Sequence, residues 1–300
     1  MRRGRLDYAL FEDSYGRVVA VPERCSLREL VYPEIAFGGF SSIDPKVAFY
    51  VRVHALLRSS FVVLDAGCGR GCHAEDPVSF RRDLVTFRGK CRRVIGIDVA
   101  PSSSGNPLID EFRLIRDDRW PLPDASIDLC VSNNVLEHVS DPSAFFSEAS
   151  RVLKEGAYLC IRTPNAWGYA AMWARLIPNR WHAAVLRALG REVDEKDVFP
   201  TRYRCNTVSK MKSMLGRHGL DACVFTGPVE AHALQFNRIA YQLEVWFNRL
   251  TPRRFQPALF AFAQKRAAQS QEAAPPTAAE KILRFDEFQP AVPLPRRKAA

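Results

Sequence analysis

Short apolar runs recur along this chain between stretches whose apolar positions repeat at helical spacing. That alternation predicts buried, mostly parallel strands with helices on both faces of their sheet. Val62–Leu64, Val94–Asp98, Phe112–Ile115, Ile127–Ser132 and Ala157–Ile161 are the successive strands, followed by Asp221–Thr226 and a last strand within Ala258–Gln264. Pro77–Phe87 reads as a crossover helix that Pro77 starts late, after a loop from Cys72 to Asp76. Asp141-Pro142 supplies the N-cap and first turn of a helix over Ser143–Leu153, whose Ala144, Phe145, Ala149, Val152 and Leu153 recur at helical spacing. Lys154-Glu155-Gly156 ends that helix, and another covers Thr207–His218. The fold class is α/β: a doubly wound, mostly parallel seven-stranded sheet with an insertion after the fifth strand.

Around this sheet the chain divides into regions. Residues 1–60 form an N-terminal helical preamble in which Asp44-Pro45 caps a helix running to Leu57. Residues 61–266 form the sheet domain, interrupted by an aromatic and basic insertion at about 166–204 and by an apolar helix at about 233–250. The Ala/Gln/Pro-rich residues 267–300 read as a disordered tail. Nothing resembles a bilayer span or a signal peptide, and the eight cysteines are scattered. Cys68 and Cys72 have no second pair to complete a metal set, so no metal site is expected. All cysteines are read as reduced, in a cytoplasmic protein.

The chemistry-bearing stretch is Val62-Val-Leu-Asp-Ala-Gly-Cys-Gly-Arg-Gly71. A buried strand ending in Asp65 enters a turn with Gly67, Gly69 and Gly71 in alternation. Such a turn lets a nucleoside-sized ligand lie against bare main chain and aims backbone N–H groups at it. A dinucleotide fingerprint would need a glycine where Cys72 stands. Asp98 ends the next strand, with Val99 beside it, placed to accept hydrogen bonds from ribose hydroxyls. Asp117 and Asp118 follow the third strand, Asn133 the fourth and Thr163 the fifth, so polar ends converge on one crevice.

These residues resemble class I S-adenosylmethionine-dependent methyltransferases, with their acidic residue and Gly-x-Gly-x-Gly turn. Trp120-Pro-Leu-Pro-Asp-Ala-Ser-Ile-Asp128 and Arg151-Val-Leu-Lys-Glu-Gly156 resemble later motifs of that superfamily, particularly its type 11-like bacterial members that act on small molecules or lipids. The resemblance implies a Rossmann-like fold, S-adenosylmethionine as cofactor, and cofactor contacts from Asp65, Gly67, Gly69, Gly71, Asp98, Val99 and Asn133. It also implies an adenine contact from Asp117 or Asp118. The expected reaction is methyl transfer to oxygen or carbon of a small or lipid-linked acceptor.

His138, just past the fourth strand, is the candidate general base; the other reading of Glu137 and His138 is a helix cap or loop anchor. Thr163, Asn165, Trp167, Tyr169, Arg202 and Tyr203 are the expected acceptor wall. Between Arg175 and Arg217 ten lysines and arginines meet four acids (Glu192, Asp194, Glu195 and Asp197), over half of the chain's net +10. A basic cap of this kind suits an anionic acceptor or an anionic membrane face. The apolar helix 233–250 reads as core or dimer contact, or alternatively as a peripheral contact with the membrane's inner face. An RNA or protein methyltransferase is the alternative that the pI of 9.4 suggests, but no nucleic-acid module or Asn/Asp-Pro-Pro-Tyr motif accompanies it. An NAD-linked oxidoreductase would need the missing glycine and a Tyr-x-x-x-Lys donor, and a non-catalytic cofactor-binding protein completes the alternatives.

Overall fold

Strand β3 (Val62–Ala66) buries Val63 on one face of a sheet and Leu64 on the other, which is why its apolar run is continuous rather than alternating. The structure, a computed structural model, describes residues 8–12, 18–22, 26–117, 119–169, 171–172, 201–231 and 237–267. The first described element is an antiparallel hairpin, β1 (Tyr8–Glu12) and β2 (Val18–Pro22), so the N-terminal preamble is not purely helical. Helix α1 (Leu27–Val31) follows, with Ser26 and Glu29 forming a capping box. Helix α2 (Pro45–Leu56) starts where Asp44 accepts from the Lys46 and Val47 amides.

Beside β3 stand β4 (Arg93–Asp98), β5 (Glu111–Leu114), β6 (Ile127–Asn133), β7 (Leu153–Pro164), β8 (Leu220–Gly227) and β9 (Ala258–Lys265). The seven strands lie in the order β5-β4-β3-β6-β7-β9-β8; β9 alone runs against the others. On one face α4 (Pro142–Val152) and α5 (Val208–Arg217) pack Phe146, Val152, Met211 and Leu215 onto Leu64, Ile97 and Leu159. On the other, α2 and α3 (Ser79–Val85) cover Val63, Val94 and Leu129 with Phe49, Val53 and Leu84. The last helix, α6 (Arg238–Leu250), joins β8 to β9.

Three boundaries differ from the sequence pattern. The apolar helix expected from about 233 starts only at Arg238, where Asn237 caps it by accepting from the Ile239 and Ala240 amides. The fifth strand of the sheet domain begins directly at Leu153 and takes in Lys154-Glu155-Gly156, because Ile127 pairs with Leu153 before a register shift and Lys154 Nζ reaches Asp128 Oδ1 at 2.7 Å. The crossover helix starts at Ser79 rather than Pro77, after one 3-10 turn over Cys72–Glu75. Asp76 explains the delay: its carboxylate accepts the Val78 amide at 3.0 Å, Lys46 at 2.8 Å and the Arg81 guanidinium at 2.8–3.1 Å. These bonds hold its pKa well below the usual carboxylate range, against the opposing effect of its burial. Arg81 also reaches Asp44 at 3.0 Å, so one network ties the start of α2 to the start of α3.

A depressed folded pKa stabilises the fold above the unfolded-state pKa near 3.9 and loses that contribution as pH falls toward the folded value. Asp76→Asn is therefore expected to cost about 2 kcal/mol at pH 7. Urea unfolding should show that deficit narrowing once the pH drops below about 4.

Candidate functional site

The carboxyl ends of β3, β4 and β6 open onto a cavity of about 720 Å³. Asp65, Gly67, Gly69, Gly71, Asp98, Val99, Asp117, Asn133, His138 and Arg202 all line it, whereas Asp118 lies outside the described residues. The cavity floor is a fastening between the glycine turn and the end of β4. Gly67 and Cys68 both donate to the Ile97 carbonyl, at 2.8 and 3.1 Å, and Gly69 donates to Asp98 Oδ2 at 2.9 Å. Asp98 Oδ1 accepts from Ala100 at 2.8 Å, which leaves part of the carboxylate's lone-pair capacity for a ligand. Asn106, which the sequence did not single out, donates to the Cys68 and Gly69 carbonyls at 2.9 and 3.2 Å.

The glycines of the turn serve different ends. A Cβ at Gly67 would collide with Val135, and one at Gly71 with Asn106, so those two glycines admit protein neighbours. A Cβ at Gly69, with φ +55°, meets no protein atom; the space it leaves belongs to the cavity. A bare main-chain segment facing open volume, with Asp65, Asp98 and Asp117 around it, fits a nucleoside cofactor carrying ribose hydroxyls and cationic groups.

Asn133, which lines the cavity, carries a part-buried polar chain. Asn133 Oδ1 accepts from Arg162 Nε at 2.7 Å, and its amide nitrogen lies 3.1 Å from His73 Nε2. Burial, then the charges of Lys46 and Arg162, lower the His73 pKa to about 4, which keeps the imidazole neutral. His73 thus lines the site, where nothing local in the sequence marked it. The Tyr50 hydroxyl reaches the same Asn133, and burial raises its pKa. Asp65 is raised to about 7 by burial and by the Asp98 charge.

A family model described as a methyltransferase domain matches residues 42–197, just over half of the 300-residue chain. The chain belongs to this methyltransferase family. S-adenosylmethionine is accordingly its cofactor. A Mycolicibacterium smegmatis protein named "probable S-adenosylmethionine-dependent methyltransferase" is 40% identical over 108 residues, covering 34% of this chain and 38% of that protein. A Yersinia pestis malonyl-[acyl-carrier protein] O-methyltransferase is 33% identical over 109 residues, covering 35% and 37% respectively. The matches thus span less than two fifths of either relative. A solved S-adenosylmethionine-dependent methyltransferase from Methanosarcina mazei is 19% identical, covers 72% of this chain and 97% of its own, and gives a TM-score of 0.44.

The methyltransferase's expected acceptor wall divides. Arg202 reaches the cavity because its amide, with that of Tyr203, donates to the Glu137 carbonyl at 2.6 and 3.2 Å, folding this segment back over the site. Tyr203 sits at φ +49° outside the lining. Thr163 and Asn165 are buried in protein contacts instead: Thr163 donates to Glu137 Oε2 at 2.8 Å and accepts from Asn206, while Asn165 donates to the Arg254 and Gln256 carbonyls. Trp167 is 57% exposed, and Tyr169 stands edge-on to Phe247 at 5.3 Å. The insertion's other aromatics, Trp173, Trp181 and Phe199, lie outside the described residues. Glu137 is buried, which raises its pKa, and its Oε1 lies 3.9 Å from His138 Nε2. Among the described residues no His, Cys, Asp and Glu group is arranged to hold a metal ion.

A carboxyl raised by folding destabilises the fold as pH climbs from its unfolded pKa to its folded one. Asp65→Asn is thus expected to make the ligand-free protein more stable, on the order of 2 kcal/mol above pH 7. Thermal unfolding across pH 4 to 8 should show the gain growing through the acidic range and levelling above about 7.

Proposed function

We propose that this methyltransferase transfers the methyl group of S-adenosylmethionine to oxygen or carbon of a small or lipid-linked, anionic acceptor. The observation that carries the reading is the open side-chain space at Gly69 beside Asp98, in a cavity that also takes in His138 and Arg202. When bound, S-adenosylmethionine supplies a methyl carbon already made electrophilic by its sulfonium. In this reading Gly67, Gly69 and Gly71 present main chain to the cofactor, Asp98 and Val99 hold its ribose side, Asp117 or Asp118 its adenine, and Asp65 and Asn133 the remainder.

What the protein adds is alignment and proton handling. Holding an acceptor in line with the methyl carbon accounts for roughly 7–11 kcal/mol of barrier lowering in well-oriented reactions. His138 takes the proton from a hydroxyl acceptor, and the Glu137 carboxyl 3.9 Å away favours the imidazolium that results. Arg202 attracts an anionic group on the acceptor. The O-methyl transfer named for the Yersinia pestis relative supports oxygen as the receiving atom.

Incubating purified protein with cell extract and methyl-labelled S-adenosylmethionine, then separating lipid from aqueous fractions, tests the reading; label in neither fraction overturns it. His138→Ala is expected to lower kcat about 10²–10⁴-fold with S-adenosylhomocysteine affinity unchanged. A loss of only a few fold removes the general-base role. Calorimetry on Asp98→Asn should show S-adenosylhomocysteine binding weakened by roughly tenfold or more; unchanged affinity takes the ribose contact away from Asp98.

A further inference from the structure

Helix α6 has two faces of opposite fate. Tyr241 and Val245 are buried with Ala231 against Leu27 and Val31 at α1, and the Tyr241 hydroxyl donates to the Ala231 carbonyl at 3.2 Å. On the other side Ile239, Leu243, Trp246, Phe247 and Leu250 are 72, 60, 62, 49 and 59% exposed. Their spacing is that of one continuous helical stripe. Each charged side chain left exposed from Asn237 to Arg254 is an arginine (Arg238, Arg249, Arg253 and Arg254), while Glu244 is buried. Positive charge therefore stands at both ends of the apolar stripe.

The stripe is fixed in place rather than hung on a tether. The Tyr169 ring meets Phe247 edge-on, and Asn165 holds the Arg254 and Gln256 carbonyls. Pro164 at the end of β7, Gly227 at the end of β8 and Ala258 at the start of β9 are aligned in register. Those residues mark the same sheet edge at which Asp65, Asp98 and Asn133 line the cavity. No helix among the described residues is long and apolar enough to cross a membrane.

We infer that the exposed face of α6 docks on an anionic lipid surface, with the apolar stripe in the headgroup boundary and its arginines on lipid phosphates. Trp and Arg beside an amphipathic helix are the composition of an interfacial helix. A second copy of the chain fits less well, since twofold pairing in either direction would oppose cationic ends. Docking itself needs no turnover; its bearing on the acceptor rests on the methyl-transfer reading, for which it makes the acceptor a lipid-borne molecule reached from the bilayer.

Flotation of the full chain with vesicles of phosphatidylcholine, with and without phosphatidylglycerol, tests the inference. The protein should float with the anionic vesicles only, less so as salt rises. The double substitution Leu243→Glu and Trp246→Glu should reduce the bound fraction at least about tenfold, and Arg249→Ala or Arg253→Ala about fivefold each. All variants should keep the rise in Tm that S-adenosylhomocysteine gives the unsubstituted protein, which separates lost docking from lost folding. Failure of the unsubstituted protein to float, or equal flotation of the double variant, overturns the inference. So does a dimer in sedimentation velocity that the double variant breaks without any flotation, which would assign the face to a second copy.

Discussion

Two amides on one carbonyl hold this site together. Gly67 and Cys68 both end on Ile97, so the turn after β3 is clamped to the last peptide of β4 before any ligand arrives. Parallel neighbours put the ends of β3 and β4 side by side, and the clamp uses that adjacency to aim Gly69 at empty volume. Asp98 then satisfies the Gly69 amide while keeping acceptor capacity in hand. Asn106 closes the other side of the turn through the Cys68 and Gly69 carbonyls. Without that fastening the alternating glycines would be a loose loop, and loose backbone loses binding energy to ordering entropy.

Around the clamp, burial rather than pairing sets the charge states. Asp65 is lifted toward neutrality and His73 is driven to its neutral form, and burial presses the Arg162 guanidinium the same way against the pull of Tyr50, Asp44 and Glu137. A recess that disfavours its own charges is costly when empty and selective when a ligand of complementary charge enters. The same reasoning makes the Asp76 network, whose carboxylates are paired with Lys46 and Arg81, a stabilising feature of the frame.

The glycine turn and the strand-end acids were legible in the sequence because both are local signals, a strand run followed within a few residues by its polar end. The sheet's parallel half was legible for the same reason. Tyr50, His73, Asn106 and Arg162 were not, because they meet only after the sheet is assembled: Asn133 bonds His73 from sixty positions away and Arg162 from twenty-nine. The acceptor wall misled where topology intervened. Thr163 and Asn165 stand at a strand end, as expected, but Glu137 and Asn206 take up the Thr163 hydroxyl, and the Arg254 and Gln256 carbonyls just before β9 take up Asn165. The β1–β2 hairpin was not anticipated although Asp13, Ser14 and Gly16 between its strands are turn-forming residues, and much of the insertion lies outside the described residues.

Placing β9 between β7 and β8 also dictates how the chain leaves the ribosome. Every other strand of the sheet has been synthesised before Ala258 emerges, yet β7 and β8 are joined in the sheet's hydrogen-bonded order only through β9. A nascent chain must therefore shelter a bare edge of Leu159, Ile161 and their amides until Lys265 is free, and such an edge recruits foreign strands. The final segment of the sheet works as a keystone, and translation that stalls shortly before it leaves a half-built arch for chaperones to hold.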